Sequence, residues 1–379
     1  MYICEKCGCN DEKYFGKRND KYYCRKCIVF KGEKVKEKEI QIDKVKLHLN
    51  YPLTKEQDNI SSKVYDSITK GKNVLIYAVC GAGKTEIVYK TIEKMLKENK
   101  RVGFAIPRKD VVIELEDRIK SAFPLNKIVS VYGGNTKELE GDIILLTTHQ
   151  LYRYKKYFDL LIIDETDAFP FSKNDVLLRH FDLSLKGNYI MMSATPLKWM
   201  IDKINKENGV ILSLLKRFHG HKIVEPKIKI VPFIQEVQII KLLLNYQKEK
   251  KQCLIYVPTK YDAERLFKIF RCIFKSIDYV HSNRKKRNDI INLFKKNKLN
   301  FLITTSILER GITIKNVQVI VYNASHKIYD SATLIQIAGR VGRKQDFPDG
   351  DVYFIAKKPT IFIKEAVDKI REANEYETL

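Results

Sequence analysis

The sequence has no long apolar run. No uninterrupted apolar stretch among its 379 residues approaches the ~20 that a helix needs to span a bilayer, so we expect no transmembrane segment. The first residues, MYICEKCGCN, lack the basic-then-apolar order of a secretory signal, and we therefore expect a cytoplasmic protein. Low-complexity segments and short repeats are missing as well. Because 44% of the residues are hydrophobic, enough for packed cores, the composition excludes wholesale disorder.

Cysteine is scarce after residue 27. Of the eight cysteines, only Cys80, Cys253 and Cys272 follow that position, and the other five lie within the first 27 residues. A secreted disulfide scaffold would distribute its cysteines more widely and in even number per module. The clustering therefore indicates a local metal site in a reduced protein.

Acidic residues are the minority charge. Lys plus Arg number 70 and Asp plus Glu number 46, which leaves a net charge of +24. Such an excess attracts polyanions and releases their counterions on binding, which favours a nucleic-acid partner. General solubility could also explain the charge, so the motifs must decide between the two.

The N-terminal cysteines have the spacing of a metal site. Cys4-x-x-Cys7 and Cys24-x-x-Cys27 form two pairs that suit one tetrahedral Zn²⁺ ion. A unit of about 30 residues buries too little surface to fold unaided, so the metal would supply folding free energy. A redox CxxC would need a thioredoxin-like βαβ setting, which is missing here. Cys9 could replace Cys7. The basic and aromatic residues nearby either contact single-stranded nucleic acid or simply cover the metal site.

The rest of the chain predicts an α/β fold. Apolar, β-branched runs alternate with amphipathic helical patterns in two successive series, which is typical of parallel sheets covered on both faces. A segment with Gly and Pro separates the two series and resembles a hinge. We assign residues 1–40 to the cysteine module and linker, 41–216 to the first domain, 217–228 to the hinge linker and 229–379 to the second domain.

A phosphate loop follows the first strand of the first series. The sequence AVCGAGKT, residues 78–85, has glycines whose backbone N–H groups can wrap phosphate oxygens, a Lys for the β- and γ-phosphates and a Thr for Mg²⁺. Ala78 replaces the usual first glycine. A plain glycine-rich turn is the alternative, but the strand–loop–helix setting favours ATP binding. The candidate contacts are Gly81, Ala82, Gly83, Lys84, Thr85 and Glu86.

Two acids end a later strand of the same series. Asp164 directly follows LLII and could hold Mg²⁺, and Glu165 could orient and deprotonate the attacking water. Such acids are often only a solvated turn, but their position downstream of a phosphate loop favours catalysis.

An arginine pair lies in the second series. The sequence QIAGRVGR, residues 336–343, holds Arg340 and Arg343 three positions apart, so that both guanidinium groups could meet phosphate oxygens. An arginine that reaches across a domain cleft can stabilise transition-state charge in phosphoryl transfer. A surface arginine pair is the alternative.

The order of these motifs, with SAT at 193–195, resembles that of superfamily 2 helicases. Almost the whole chain is similar to the ComFA family, the competence-associated DNA-transport ATPases of Gram-positive bacteria. The segments that support this resemblance are the cysteine module, PLTKEQ at 52–57, IIDETDAFPF at 162–171 and ITTSILERGIT at 303–313. The resemblance implies two tandem RecA-like domains that clamp ATP between them, preceded by a zinc-ribbon-like module.

The resemblance also assigns roles by position. Gln57 would recognise adenine, and Ser193 and Thr195 would couple changes at the nucleotide to the bound DNA strand. The residues implied in catalysis are Lys84, Asp164, Glu165, Gln336, Arg340 and Arg343, with Thr85 and Asp164 on Mg²⁺. The residues implied in gripping the sugar-phosphate backbone are Arg108, Gly133, Gly134, Thr148 and Thr305. Thr313 stands where many relatives have an Asp that contacts the ribose, which leaves that contact in doubt.

We therefore expect an ATP-hydrolysing, single-stranded DNA translocase or helicase that drives DNA uptake in transformation. The resemblance implies a ComFC-like partner protein and leaves docking to a membrane DNA-uptake complex open. A replication-restart or RNA helicase of the same superfamily is one alternative. A nucleotide-switched binding protein is another, although Glu165, Gln336 and the two arginines argue against a pure switch.

Overall fold

The chain divides into two compact units in the computed structural model, which describes residues 3–36, 39–168, 170–305 and 314–375. The first unit comprises Met1–Ala78 and Gly83–Leu214, and the second comprises Val79–Ala82 and Leu215–Leu379. Each unit has its own parallel sheet. None of the helices in the described ranges combines the length and the apolar character that crossing a bilayer requires.

The cysteine module begins the first unit. Strands β1 (Phe15–Arg18) and β2 (Lys21–Cys24) form an antiparallel hairpin. Its two turn residues, Asn19 and Asp20, both have positive φ values, 46° and 56°, a backbone that suits the right-handed twist of a tight hairpin. The charged segment after the last cysteine pair, residues 30–46, has no helix among its described residues.

The first unit's sheet has the strand order β5-β6-β4-β7-β8-β3-β9, and all of its pairs are parallel. Strands β4 and β6 are buried along their whole length, as expected when helices cover both faces of a sheet. The strands are β3 (Val74–Ala78), β4 (Val102–Ile106), β5 (Ile128–Val131), β6 (Ile143–Thr147), β7 (Phe158–Ile163), β8 (Leu185–Ser193) and β9 (Val210–Leu214). The helices are α1 (Lys55–Thr69), α2 (Lys84–Ile87), α3 (Tyr89–Lys97), α4 (Lys109–Ala122), α5 (Asp175–Ser184) and α6 (Lys198–Lys206).

The second unit's sheet has the order β10-β15-β14-β11-β13-β12 and is also parallel throughout. The strands are β10 (Lys227–Ile230), β11 (Gln252–Tyr256), β12 (Ile277–Val280), β13 (Phe301–Thr304), β14 (Val317–Val321) and β15 (Val352–Ala356). The helices are α7 (Gln235–Lys248), α8 (Lys260–Phe270), α9 (Arg287–Lys295), α10 (Ser331–Ala338) and α11 (Ile361–Glu375).

The predicted fold class is confirmed: two tandem RecA-like domains with parallel sheets follow a small cysteine module. The apolar pattern did not reveal the edge strands β9 and β10, which are partly exposed and have few consecutive buried residues. Lys227 and Ile228, which we assigned to the hinge linker, already belong to β10. The other domain boundaries stay predictions.

One glycine is required by the sheet of the first unit. The pairing of β7 with β8 is irregular between Phe158 and Leu160, as in a β-bulge. The bulge brings the carbonyl oxygen of Asp159 so close to Gly187 that a Cβ at position 187 would overlap it. A backbone oxygen cannot move aside as a flexible side chain can.

Gly187→Ala should therefore lower the free energy of unfolding by about 1–3 kcal/mol, as expected for overpacking. Thermal unfolding followed by circular dichroism measures this effect. Gly133→Ala is the matched control, because a Cβ at position 133 meets nothing within 4 Å. Equal melting temperatures for the two variants would contradict the bulge argument.

Candidate nucleotide site and cysteine centre

The phosphate loop connects β3 to α2. Gly81 and Gly83 have φ values of 85° and 77°, in the left-handed region that glycine adopts most easily. A Cβ on Gly83 would also overlap the side-chain nitrogen of Gln57. The backbone conformation is what favours glycine at position 83, and the loop has the curled backbone that presents N–H groups to an anion.

The loop's lysine lies beside the first acid of DETD. Lys84 Nζ is 3.5 Å from Asp164 Oδ1, and the two side chains are only 16% and 15% exposed. Thr85, next to Lys84 on α2, is buried. The arrangement brings a phosphate-binding cation and two oxygen donors suited to Mg²⁺ to one edge of the sheet, so these residues fit a magnesium–nucleotide complex.

The second acid has a strained backbone. Glu165 has a φ of 55°, which is uncommon for a residue with a side chain. Its N–H donates to Asp164 Oδ1 at 2.7 Å, which fixes the two acids relative to each other. Such strain persists only where the surroundings hold it, and it is frequent at functional sites.

Gln57 lies on α1 and is buried beside the phosphate loop. The Thr54 N–H donates to Gln57 Oε1 at 2.9 Å, and the Gln57 N–H donates to Thr54 Oγ1 at 3.2 Å. This capping box fixes the start of the helix. It also holds the Gln57 side chain against Gly83, and the role in adenine recognition stays a prediction.

Asp167, the last residue of DETD, joins the acids to the SAT segment. Its carboxylate accepts hydrogen bonds from Ser193 Oγ at 2.8 Å and from Thr195 Oγ1 at 3.0 Å. The Thr195 N–H also donates to Ser193 Oγ at 2.9 Å. The sequence motifs assign Asp167 no role of its own, although its place in DETD is a signal that points to it.

The glutamine–arginine motif lies on α10 and in the turn that follows. Gln336 and Arg340 are buried, and Arg343 Nε donates to the Gly339 carbonyl at 3.0 Å. Within the same unit, Cys80 Sγ lies 3.0 Å from Gln336 Oε1. The assigned roles of the motif in γ-phosphate sensing remain predictions.

Most of the candidate nucleic-acid contacts follow strands of the first sheet. Arg108 directly precedes α4, Gly133 and Gly134 follow β5, and Thr148 follows β6, all at the carboxyl edge of the sheet. Thr148 as a whole is buried, so neither its side chain nor its backbone reaches the surface. Thr305 follows β13 in the second unit. Thr313, and Phe169 of IIDETDAFPF, lie outside the described residues.

Four cysteines form one compact group. The sulfur atoms of Cys4, Cys7, Cys24 and Cys27 all lie within 4.8 Å of one another. Cys4 Sγ is 3.8 Å from Cys27 Sγ, and Cys7 Sγ is 3.7 Å from Cys24 Sγ. A tetrahedral ZnS₄ site with bonds of about 2.3 Å has sulfur–sulfur edges of about 3.8 Å, so the donor set fits zinc.

The thiols also require a neutralising charge. Burial raises the pKa of Cys7 to about 11, and burial together with the neighbouring thiols raises the pKa of Cys27 further. Burial opposes ionisation of Cys4 too, but hydrogen bonds from the backbone of Cys7 and Lys6 lower its pKa overall. Because crowded thiolates repel one another, only a cation allows all four to ionise together.

The module's C-terminal end packs on the loop after β6. The Phe30 ring meets the His180 ring edge-on at 4.7 Å and also contacts Tyr152 and His149. Burial, assisted by the charges of Lys34 and Lys6, lowers the pKa of His180 to about 4, so this ring is neutral at neutral pH. Phe30 therefore lies in an apolar aromatic cluster.

Three hydrogen bonds reinforce this packing. Tyr152 Oη donates to the Lys31 carbonyl at 2.5 Å, and Arg153 Nη1 donates to the Glu33 carbonyl at 2.8 Å. The Val35 N–H donates to the Arg153 carbonyl at 2.9 Å. The short 3₁₀-helix Thr148–Arg153 is thus joined directly to the cysteine module.

Known proteins resemble this chain along most of its length. The family model "Type III restriction enzyme, res subunit" matches residues 50–198, and "Helicase conserved C-terminal domain" matches residues 235–345. Competence protein ComFA of Bacillus subtilis (strain 168) is 34% identical, over 99% of this chain and 86% of that protein. Competence protein ComFA of Streptococcus pneumoniae is 32% identical, over 93% and 86%.

Solved structures share the fold. Dbp5 of S. cerevisiae, bound to RNA and ADP BeF3, has a TM-score of 0.63 at 17% identity, covering 85% of this chain and 92% of that chain. The Mycobacterium smegmatis helicase Lhr, bound to ssDNA and AMP-PNP, has a TM-score of 0.62 at 17% identity, covering 84% and 48%.

Fold, motifs and relatives together define an ATP-hydrolysing enzyme of the superfamily 2 helicase class. Within that class, the chain belongs to the ComFA family of competence proteins.

Replacement of Asp167 should uncouple hydrolysis from nucleic-acid binding. Asp167→Ala leaves the hydroxyls of Ser193 and Thr195 without their shared acceptor. We expect stimulation of ATP hydrolysis by nucleic acid to fall by about tenfold, which corresponds to about 1.4 kcal/mol, because the two hydroxyls lose the carboxylate that holds them in place. The basal rate should change much less. Asp175→Ala, which removes an exposed acid on α5, should leave both rates unchanged; a proportional loss of both rates in Asp167→Ala would contradict the coupling.

Cys9 lies outside the four-sulfur group, so we predict that it is not a zinc ligand. Cys7→Ser should lose bound zinc and lower the melting temperature, because the metal supplies folding free energy. Cys9→Ser should keep one zinc per chain. Metal analysis of the purified variants measures both, and loss of zinc from Cys9→Ser would mean that Cys9 is a ligand.

Proposed function

We propose that this enzyme is an ATP-driven translocase or helicase of single-stranded DNA and that it drives DNA uptake in natural transformation. The observation that supports it most is the pairing of Lys84 with Asp164 at the carboxyl edge of a parallel sheet, beside a strained Glu165. ComFA family membership supports the link to competence. The net charge of +24 favours a polyanionic track.

In the proposed cycle, Lys84 and the N–H groups of Gly81 to Glu86 bind the triphosphate, and Gln57 recognises adenine. Glu165 orients the attacking water and takes its proton. Thr85 and Asp164 hold Mg²⁺, which neutralises charge on the transferred phosphate. Gln336, Arg340 and Arg343 sense the γ-phosphate, and the two arginines stabilise the charge that develops there.

Movement follows from alternating grips on the DNA backbone. Changes at the nucleotide reach Ser193 and Thr195 through Asp167, and from there the segments that hold the strand. The proposed contacts are Arg108, Gly133, Gly134, Thr148 and Thr305. Because these contacts are to sugar and phosphate rather than to base edges, sequence preference should be weak.

The proposal extends to the setting of the enzyme. Cys4, Cys7, Cys24 and Cys27 bind a structural Zn²⁺, consistent with their tetrahedral spacing. The enzyme is cytoplasmic and works with a ComFC-like competence protein at a membrane DNA-uptake complex. The family resemblance alone supports these partners.

An ATPase titration tests the proposal directly. Hydrolysis is measured at fixed salt with single-stranded DNA, duplex DNA or RNA, and we expect single-stranded DNA to stimulate most. Dominant stimulation by RNA would favour an RNA helicase instead. No hydrolysis above that of Glu165→Gln would favour a nucleotide-switched binding protein.

Lys84→Ala tests the site itself. The variant should abolish DNA-stimulated hydrolysis, because the lysine contacts the phosphates, and should leave DNA binding measurable. Lys90→Ala removes an exposed lysine from α3 in the same unit and should hydrolyse ATP at the wild-type rate. Unchanged hydrolysis in Lys84→Ala would refute the site assignment.

A further inference from the structure

Arg217 is a buried cation in the segment that the sequence marks only as a hinge linker. It follows β9 and is 2% exposed, less than most arginines in proteins. Burial lowers the pKa of its guanidinium to about 10, so the group still has its charge at neutral pH. An arginine in such a position needs a physical explanation.

Only part of the guanidinium is satisfied by the protein. Nη1 donates to the carbonyls of Val341 at 2.9 Å and Gly342 at 2.6 Å. Nε and Nη2 are both buried and have no hydrogen-bond partner among the described residues. Among the described residues, the charged or ionisable groups that act on Arg217 are Cys80 and a second cation, Arg343, and neither is a carboxylate. A buried charge without an anionic partner is strongly unfavourable.

The side chain lies against the phosphate loop segment of its own unit. The Phe218 N–H donates to the Gly81 carbonyl at 3.1 Å, which ties the linker to the loop. Cγ, Cδ and Nε of Arg217 come within 3.7 to 3.9 Å of where a Cβ on Gly81 would stand. One of the two unsatisfied N–H groups therefore lies beside the glycine whose curled backbone suits an anion.

We propose that Arg217 binds a phosphate oxygen of the nucleotide at Gly81. This inference rests on the proposed nucleotide site and adds a contact that none of the sequence motifs contains. The phosphate would supply the anion that the guanidinium lacks among the described residues, and Nε–H and Nη2–H can donate to it as a fork. Through Nη1, the same side chain connects the phosphate to the turn at Val341 and Gly342.

A purely structural clamp is the competing explanation, since Arg217 also holds that turn. His219 Nε2 lies 3.0 Å from the same Gly342 oxygen and would remain in a variant of Arg217. The two roles differ in what they do to the free protein. A ligand-binding charge destabilises the nucleotide-free state, whereas a structural clamp stabilises it.

The test compares Arg217→Met, Arg217→Lys and the control Lys222→Met, an exposed cation of the same segment. Binding of a fluorescent ATP analogue is measured without DNA, and melting temperatures are measured without nucleotide. Arg217→Met should weaken ATP binding by about tenfold or more, the usual contribution of a hydrogen bond to a charged group. Its melting temperature should stay within about 2 °C of wild type or rise. Arg217→Lys should recover part of the affinity, and Lys222→Met should match wild type.

Wild-type ATP affinity in Arg217→Met, with a lowered melting temperature, would overturn the proposal in favour of the clamp. Equal affinity losses in Arg217→Met and Lys222→Met would also overturn it, because general charge would then explain the effect. Failure of the proposed function is distinguishable. If wild type binds ATP but single-stranded DNA does not stimulate hydrolysis, the assignment of DNA as the substrate fails. The difference in ATP affinity between wild type and Arg217→Met still tests the proposed phosphate contact.

Discussion

The ion pair between Lys84 and Asp164 depends on one constraint, the common direction of the strands in the first sheet. Lys84 follows β3 and Asp164 follows β7, and β8 lies between these two strands. Because the strands are parallel, their carboxyl ends meet at one edge, and residues 80 positions apart in sequence come within 3.5 Å. The last residue of β8, Ser193, ends at the same edge and donates to Asp167. The chemistry of the site is therefore a consequence of topology.

The backbone is unusual at the carboxyl edge of the first sheet, where the functional groups meet. Gly81, Gly83 and Glu165 all have positive φ values, two because they are glycines and one in spite of a side chain. The glycines allow the loop to turn toward a ligand. Glu165 is held by its hydrogen bond to Asp164 and by the buried strand before it, so the conformational cost of its backbone is met by the packing of β7. Rigid strands with short, strained connections fix the functional groups more accurately than flexible loops would.

Much of this could be predicted from the sequence, because the informative residues are adjacent in the chain. The central strands are continuous apolar runs, and the phosphate loop and DETD are local motifs. Both edge strands β9 and β10 are partly exposed, but only β10, KIKI, alternates charged with apolar residues as an exposed edge often does. Strand β9, VILSL, is a short apolar run that the prediction omitted. The hydrogen-bond partners of Asp167 and Arg217 could not be predicted for a different reason. Each residue has partners 26 to 125 residues away, and such contacts exist only after the sheets have formed. Cys9 was ambiguous by spacing alone, since only the positions of the sulfur atoms exclude it from the group.

The attachment of the cysteine module has a mechanical consequence. Phe30, Lys31, Glu33 and Val35 join the module to the 3₁₀-helix after β6 through an aromatic cluster and three hydrogen bonds, without a free tether between them. Displacement of the module therefore also displaces the loop that begins at Thr148. The two segments move as one body, and a force on either one is transmitted to the other.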